Sequence, residues 1–241
     1  MTGRLPDFLG IGTQKGGTTS LQKLLEQHPD AFLPITKEVH YFTLHYNESE
    51  HWYRGHFEDA NQEQICGEIT PYYLFHPEAP QRIHALIPKA RLIVLLRNPV
   101  ERALSQYFHA RRLGFEELDL EAALAAENER LTSGDSYSHQ KHSYLSRSRY
   151  ELQLQRYQRL FSDQQLLILR SEDFFEKTEQ TWKTIQDFLG LREISLPENA
   201  IKANAGLGEA STVPPRMRKW IKDELADTLQ TMRNQYGMTW S

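Results

Sequence analysis

Apolar residues along this chain gather in short runs, each followed by a stretch with helical spacing. Phe8–Gly12 is the first run; a Gly/Thr cluster follows it, and Leu21, Leu24, Leu25 and His28 then recur at helical intervals before Pro29. Ile65–Ile69, stopped by Pro71, is the second run, and Arg91–Leu96, the most strand-like segment of the chain, is the third. Pro99 suits the first turn of a helix, which Val100, Ala103, Leu104, Tyr107 and Phe108 make amphipathic to about Leu113. Another helix is predicted from Leu118 to about Leu131. Residues 132–148 are polar and read as a long loop, the kind of segment that is often functional. Tyr150, Leu154, Tyr157 and Phe161 line a helix leading into a fourth run, Gln165–Leu169, and Trp182, Ile185, Phe188 and Leu189 mark the helix after it. Irregular sequence over 195–215 precedes one last helix carrying Met217, Trp220, Ile221, Leu225, Leu229 and Met232. This alternation predicts an α/β fold, a mainly parallel sheet flanked by helices. No repeat or linker divides the chain, so residues 1–241 read as a single domain.

Composition narrows the function classes. Of 241 residues, 39% are hydrophobic, with eleven Tyr, eleven Phe and four Trp, enough to build a core and to exclude general disorder. Lys and Arg number 28 against 32 Asp and Glu, a net charge of −4 that argues against a duplex DNA binder. The apolar runs fall far short of the roughly 20 residues needed to cross a bilayer, and the N-terminus lacks a basic segment followed by an apolar one. The expectation is a cytoplasmic protein with no nucleic-acid partner and no membrane insertion. Oligomeric state is not written in the pattern. A single cysteine, Cys66, excludes an internal disulfide framework and a Cys-rich metal site.

The candidate chemistry begins at Gly12-Thr13-Gln14-Lys15-Gly16-Gly17-Thr18-Thr19, between a strand and a helix. There an α/β fold concentrates backbone N–H groups and the positive end of a helix dipole. Adjacent glycines let the backbone approach an anion, Thr18 and Thr19 add hydroxyls, and Lys15 adds charge. The ordinary phosphate loop reads G-x-x-x-x-G-K-[ST]; here Gly12 and Gly17 fit, but Thr18 stands where the lysine belongs. Arg91–Leu96 ends in Arg97-Asn98 rather than in a magnesium-holding Asp, which further weakens a nucleoside triphosphatase reading. Arg97, leaving a parallel strand, and Ser105, two turns into the next helix, are placed to flank a second anion.

These residues resemble a known family. Thr13-Gln14-Lys15-Gly16-Gly17-Thr18-Thr19-Ser20-Leu21 looks like the 5′-phosphosulfate loop of sulfotransferases that use 3′-phosphoadenosine 5′-phosphosulfate (PAPS). Lys37-Glu38-Val39-His40-Tyr41-Phe42, Glu68-Ile69-Thr70-Pro71-Tyr72-Tyr73 and the segment from Arg91 to Ser105 resemble, in order, blocks of the heparan-sulfate-type branch and its bacterial relatives. With the Arg149-Tyr150 helix and the Trp240 ending, the likeness spans essentially the whole chain. It implies a phosphate-loop-like sulfotransferase fold and transfer of a sulfuryl group from PAPS to an acceptor hydroxyl, or less readily an amine, leaving 3′-phosphoadenosine 5′-phosphate (PAP), without a metal. Lys15, Gly16, Gly17, Thr18, Thr19 and Ser20 would hold the donor's phosphosulfate, Arg97 and Ser105 its 3′-phosphate, and Tyr150 would belong to the nucleotide site. Glu38 is the implied general base, with Lys15 and His40 beside it in the catalytic set. Glu68, at the end of its strand, is either a rival base or a capping or ion-pairing residue. Ile69 replaces a lysine frequent in that branch, and the family's C-terminal Lys-Gly-Arg loop is unclear, leaving Lys202 or Arg216.

Acceptors that suit this reading are carbohydrate hydroxyls, including those of an anionic glycan, other alcohols, and carrier-tethered hydroxyacyl chains. His139, Lys141, His142, Arg147 and Arg149, with Arg111 and Arg112, form a basic stretch that is either a solvated face or a docking surface for an anionic acceptor. The rival readings are a phosphate-loop small-molecule kinase and a non-catalytic nucleotide-binding module of the same fold.

Overall fold

The computed structural model describes residues 3–197 and 208–240. The chain forms two compact units, one of Met1–Leu96 with Leu154–Ala203, the other of Arg97–Gln153 with Asn204–Ser241. Strands are β1 (Phe8–Gly12), β2 (Ala31–Phe32), β3 (Ile65–Ile69), β4 (Arg91–Leu96) and β5 (Leu166–Arg170). Helices are α1 (Thr18–Leu25), α2 (Glu50–Gly55), α3 (Tyr72–Phe75), α4 (Ala79–Leu86), α5 (Pro99–Arg112), α6 (Leu120–Thr132), α7 (Ser136–Lys141), α8 (Tyr150–Gln158), α9 (Ser171–Glu176), α10 (Thr178–Leu189), α11 (Pro215–Glu224) and α12 (Ala226–Tyr236).

The first unit is a five-stranded sheet, order β2-β3-β1-β4-β5, in which every pairing is parallel. β1 and β4 are buried along almost their whole length, which explains why they read as unbroken apolar runs rather than as alternating ones. Leu21, Leu24 and Leu25 of α1 and Trp182, Ile185 and Leu189 of α10 join Phe8, Ile93 and Leu95 in one core. α10 stops at Gly190, whose φ of 70° supplies the left-handed residue of a helix end. β2, only two residues long, carries too little pattern to be foreseen.

In the second unit, Val100, Leu104 and Tyr107 of α5 pack with Leu124 of α6 and with Met217 and Ile221 of α11. Asn98 caps α5, its side-chain oxygen accepting the Val100 and Glu101 N–H groups at 3.0 and 3.3 Å. Two expectations fail here. The predicted loop over 132–148 contains α7 and a 3₁₀ turn, Ser146–Ser148. Asp135 caps α7 by accepting the Tyr137 and Ser138 N–H groups, and the polar residues that suggested a loop are consumed internally. The predicted last helix is two helices that meet at Leu225, which is fully buried.

Candidate active site

The loop after β1 is shaped by glycine. The pairing of β1 with β4 shifts register between Gly10 and Gly12, and the Thr13 N–H then reaches the Leu95 carbonyl at 2.8 Å. A Cβ at Gly16 would sit 2.6 Å from the Leu95 carbonyl oxygen, and one at Gly17 would sit 2.9 Å from the Phe175 ring. Gly17 also has φ of 100°, which side chains rarely adopt. The Gly16 N–H bonds the Thr13 carbonyl at 2.9 Å, and the Ser171 hydroxyl donates to the Gly16 carbonyl at 2.6 Å. The loop therefore closes on itself and hands over directly to α1, whose N-cap Gly17 has no side chain to cap it and accepts the Ser20 and Leu21 N–H groups at 2.9 and 3.1 Å. Lys15 holds φ of 70°, a left-handed conformation costly for a residue with a side chain. Glycine is thus required at 16 and 17 by the close packing of the loop against Leu95, Thr13 and Phe175.

A second irregular segment, residues 37–43, lies in the same unit. Glu38 and His40 both have left-handed backbones, φ 56° and 58°, so the segment is not a strand. The His40 Nε2 lies 3.5 Å from Glu38 Oε2, and the other ring nitrogen is 3.0 Å from the Thr43 hydroxyl. The imidazole thus joins the carboxylate to a residue that sequence reasoning passed over. Lys37, which opens this segment but carries no sequence-assigned role, donates to Thr19 Oγ1 at 2.7 Å and stands 3.9 Å from Glu38 Oε1. One ammonium consequently spans the first turn of α1 and the carboxylate.

Among the described residues Glu68 caps no helix and pairs with no Lys or Arg, so neither the capping nor the ion-pairing role holds. It is 1% exposed and accepts hydroxyl bonds from Tyr53 at 3.1 Å, Tyr73 at 2.6 Å and Thr70 at 2.6 Å. Burial raises its pKa, with the three hydroxyls and nearby His40 pulling the other way. Burial and the Glu68 charge push the Tyr53 and Tyr73 phenols well above their usual range, so both remain donors.

Arg97, Ser105 and Tyr150 belong to the second unit. The Tyr150 hydroxyl donates to the Arg97 carbonyl at 2.8 Å, fixing the backbone from which that guanidinium extends. Arg102, fully buried, donates to Ser148 Oγ at 2.6 Å, to Gln106 Oε1 at 2.6 Å and to the Tyr144 carbonyl. Its burial lowers the guanidinium to about 10, opposed by Tyr150 and Glu127. Glu127 accepts the Leu145 and Ser146 N–H groups, both at 2.7 Å. A buried Arg and a buried Glu thereby brace the turn that precedes Tyr150; neither announces itself in sequence, because charged residues at helical spacing ordinarily signal a solvated face.

The basic stretch is largely spent on internal bonds. Arg147 is 3% exposed and donates to the Gln140 carbonyl at 2.6 Å, and His142 bonds the Phe115 carbonyl at 2.8 Å. Arg111 donates to the Glu117 carbonyl at 2.6 Å, Arg112 pairs with Glu209, and Lys141 lies 4.5 Å over the Phe115 ring. Arg147 cannot serve as a docking charge. Lys202 lies outside the described residues, and Arg216 is exposed on α11. Among the described residues no group of His, Cys, Asp and Glu is arranged to hold a metal, and no helix is long and apolar enough to cross a membrane.

The sulfotransferase domain family model matches residues 5–204. Human heparan sulfate glucosamine 3-O-sulfotransferase 3B1 is 32% identical over 193 residues, 79% of this chain and 47% of the relative. The chain matches less than half the length of that relative and 22% of the membrane-associated sulfotransferase kil1 of Dictyostelium discoideum, which is 42% identical over 106 residues, 43% of this chain. A crystal structure of a sulfotransferase from Alicyclobacillus acidocaldarius superimposes with a TM-score of 0.85 at 27% identity, covering 98% of each chain.

Proposed function

The chain belongs to the sulfotransferase domain family, and from that premise we propose that it transfers the sulfuryl group of PAPS to an acceptor hydroxyl with Glu38 as general base. The observation that supports the reading is the Lys37 bridge, which reaches Thr19 in the first turn of α1 at 2.7 Å and the Glu38 carboxylate at 3.9 Å. The acceptor oxygen attacks sulfur, the bond from sulfur to the 5′-phosphate oxygen breaks, and PAP leaves with that electron pair. Glu38 takes the acceptor proton, and His40 holds the carboxylate's orientation. Lys15 and the loop N–H groups meet the charge that develops on the leaving phosphate. The family resemblance assigns the 3′-phosphate to Arg97 and Ser105. The second unit's Tyr150 we assign to fixing the Arg97 backbone, since its hydroxyl is bonded there.

The relatives named for heparan sulfate glucosamine favour a carbohydrate hydroxyl as acceptor. A kinase reading is not favoured, given the displaced loop lysine. Calorimetry in excess chelator tests the donor: PAP binds without metal and more tightly than ATP, whereas equal affinity for ATP would overturn the assignment. A screen of acceptors with labelled PAPS, read as the mass gain of one sulfuryl group, then identifies the alcohol.

A further inference from the structure

The three hydroxyl residues that converge on Glu68 each anchor one of three consecutive residues in the segment that carries Glu38. Thr70 Oγ1 receives the His40 N–H at 3.4 Å. The Tyr53 ring stacks on Tyr41, with centroids 4.1 Å apart and planes within 4°. Tyr73 Oη receives the Phe42 N–H at 3.5 Å. An ionised carboxylate only accepts hydrogen bonds, so all three hydroxyl protons point inward to Glu68. The Thr70 and Tyr73 oxygens must then turn their lone pairs outward, which is the polarity the His40 and Phe42 amides require. These contacts sit where the backbone is least able to hold its own shape, between and beside two left-handed residues with side chains, Glu38 and His40. Such conformations persist when surrounding structure over-determines them.

We propose that Glu68 is a positioning residue, which sets the polarity of the Thr70 and Tyr73 hydroxyls and through them holds the segment bearing Glu38 and His40 in its reactive shape. This inference rests on the assignment of Glu38 as base. Glu68 is not itself placed to take the acceptor's proton. It is 1% exposed, and both of its oxygens are engaged by protein hydroxyls. Its action is through the backbone of residues 40 and 42, roughly thirty positions away in sequence.

The test combines amide hydrogen exchange with turnover of PAPS and a heparan sulfate oligosaccharide used as probe acceptor. Glu68→Gln keeps the size but puts an amide donor in place of one oxygen; turned toward Thr70, it obliges one hydroxyl to reverse rather than the two that share Oε1. Exchange at the His40 amide then accelerates about tenfold, the scale of one lost hydrogen bond, while β1 and β4 keep their protection. Turnover falls by up to about 10²-fold, the scale of an ångström's misplacement, while the KM for PAPS stays the same. The acid limb of the pH profile also stays where it was, because Glu38, the proposed base, is untouched. Thr70→Val reproduces the His40 effect and adds little to Glu68→Gln, and Thr70→Ser, which retains the hydroxyl, restores native behaviour. Unchanged exchange at His40 in Glu68→Gln overturns the proposal, as does a loss of protection throughout the sheet, which would mark Glu68 as merely structural. Disappearance of the acid limb in Glu68→Gln would make Glu68 the base and overturn it too. Failure of the native chain to bind PAP in calorimetry would instead sink the sulfotransferase reading, and the exchange measurements, which need no nucleotide, would still report whether Glu68 shapes the segment.

Discussion

The loop at residues 13–19 and the segment at residues 37–43 both serve the same proposed reaction, yet they are held by opposite means. The first is shaped mainly from within: glycines pack where no Cβ fits, and its bonds run to backbone, as from Gly16 to Thr13 and from Thr13 to Leu95, with the Ser171 hydroxyl as one outside anchor. The second is shaped from outside, by side chains of Tyr53, Thr70 and Tyr73. A loop of the first kind fails when its own residues change. One of the second kind fails when distant residues change, and it is open to adjustment without touching the groups that do chemistry.

The sharpest way to separate the two is Glu38→Gln, which preserves the segment's shape and removes its base. Turnover should fall about 10²- to 10⁴-fold while PAP affinity, measured by calorimetry, stays the same. Equal losses in both would mean that the segment also builds the donor site. Lys15→Ala comes next, with an expected loss of about 10²- to 10³-fold in the rate of single-turnover transfer and a smaller loss in PAP binding, because its charge matters most when the leaving oxygen becomes negative. A binding loss as large as the rate loss would reduce Lys15 to an ordinary anchor.

Gly16→Ala probes the self-shaped loop directly. A methyl group 2.6 Å from a carbonyl oxygen forces the backbone to move, and a cost of about 1–3 kcal/mol is expected in stability by chemical denaturation, accompanied by weaker PAP binding. Native stability and affinity in this variant would show that the loop tolerates what its packing forbids. Lys37→Met cuts an ammonium that joins the two segments. Its pairing with Glu38 is substantially exposed, so a loss of only about 0.2–1 kcal/mol in transition-state stabilisation is expected from kcat/KM, and it should shrink further in high salt.

The smallest effect concerns pH. Burial raises the Glu68 pKa, so the folded protein holds that proton more tightly than the unfolded chain does. Its contribution is therefore full below the ordinary carboxylate range and declines as pH rises through the folded value. Glu68→Gln should flatten that descending component when stability is followed by denaturant titration across acid pH; an unaltered slope would mean that the three hydroxyls cancel the burial cost.

Sequence legibility follows the same division. β1, β3, β4 and α1 are readable because buried parallel strands are continuous apolar runs and because glycine beside threonine after a strand has few structural explanations. The start of α5 is likewise readable from the proline at its first helical position, whereas the Asn98 cap emerges only in the structure. The shape of residues 37–43 is not readable, since left-handed backbone is ordinarily signalled by Gly, Asn or Asp, whereas here Glu38 and His40 adopt it. Glu68 stands in a recognisable motif, but its three partners lie at unpatterned separations. The stretch at 132–148 misleads because buried polar residues that satisfy one another, such as His142 with Ser138 and Ser148 with Arg102, have the composition of a loop.

The interleaving of the two units along the chain bears on synthesis. β4 is complete at Leu96, but its parallel neighbour β5 begins only at Leu166, about seventy residues later. At roughly 5–20 residues per second, the apolar edge of β4 waits roughly 4–14 s on the ribosome for its partner, while the whole of α5, α6 and α7 is made in between. An unpaired edge of Leu92, Ile93, Val94, Leu95 and Leu96 is a template for the wrong strand during that interval. Nascent chains stalled between Leu96 and Leu166 are accordingly where this protein most needs a chaperone, and slowing translation across α5–α7 should lower its soluble yield more than slowing it after Arg170.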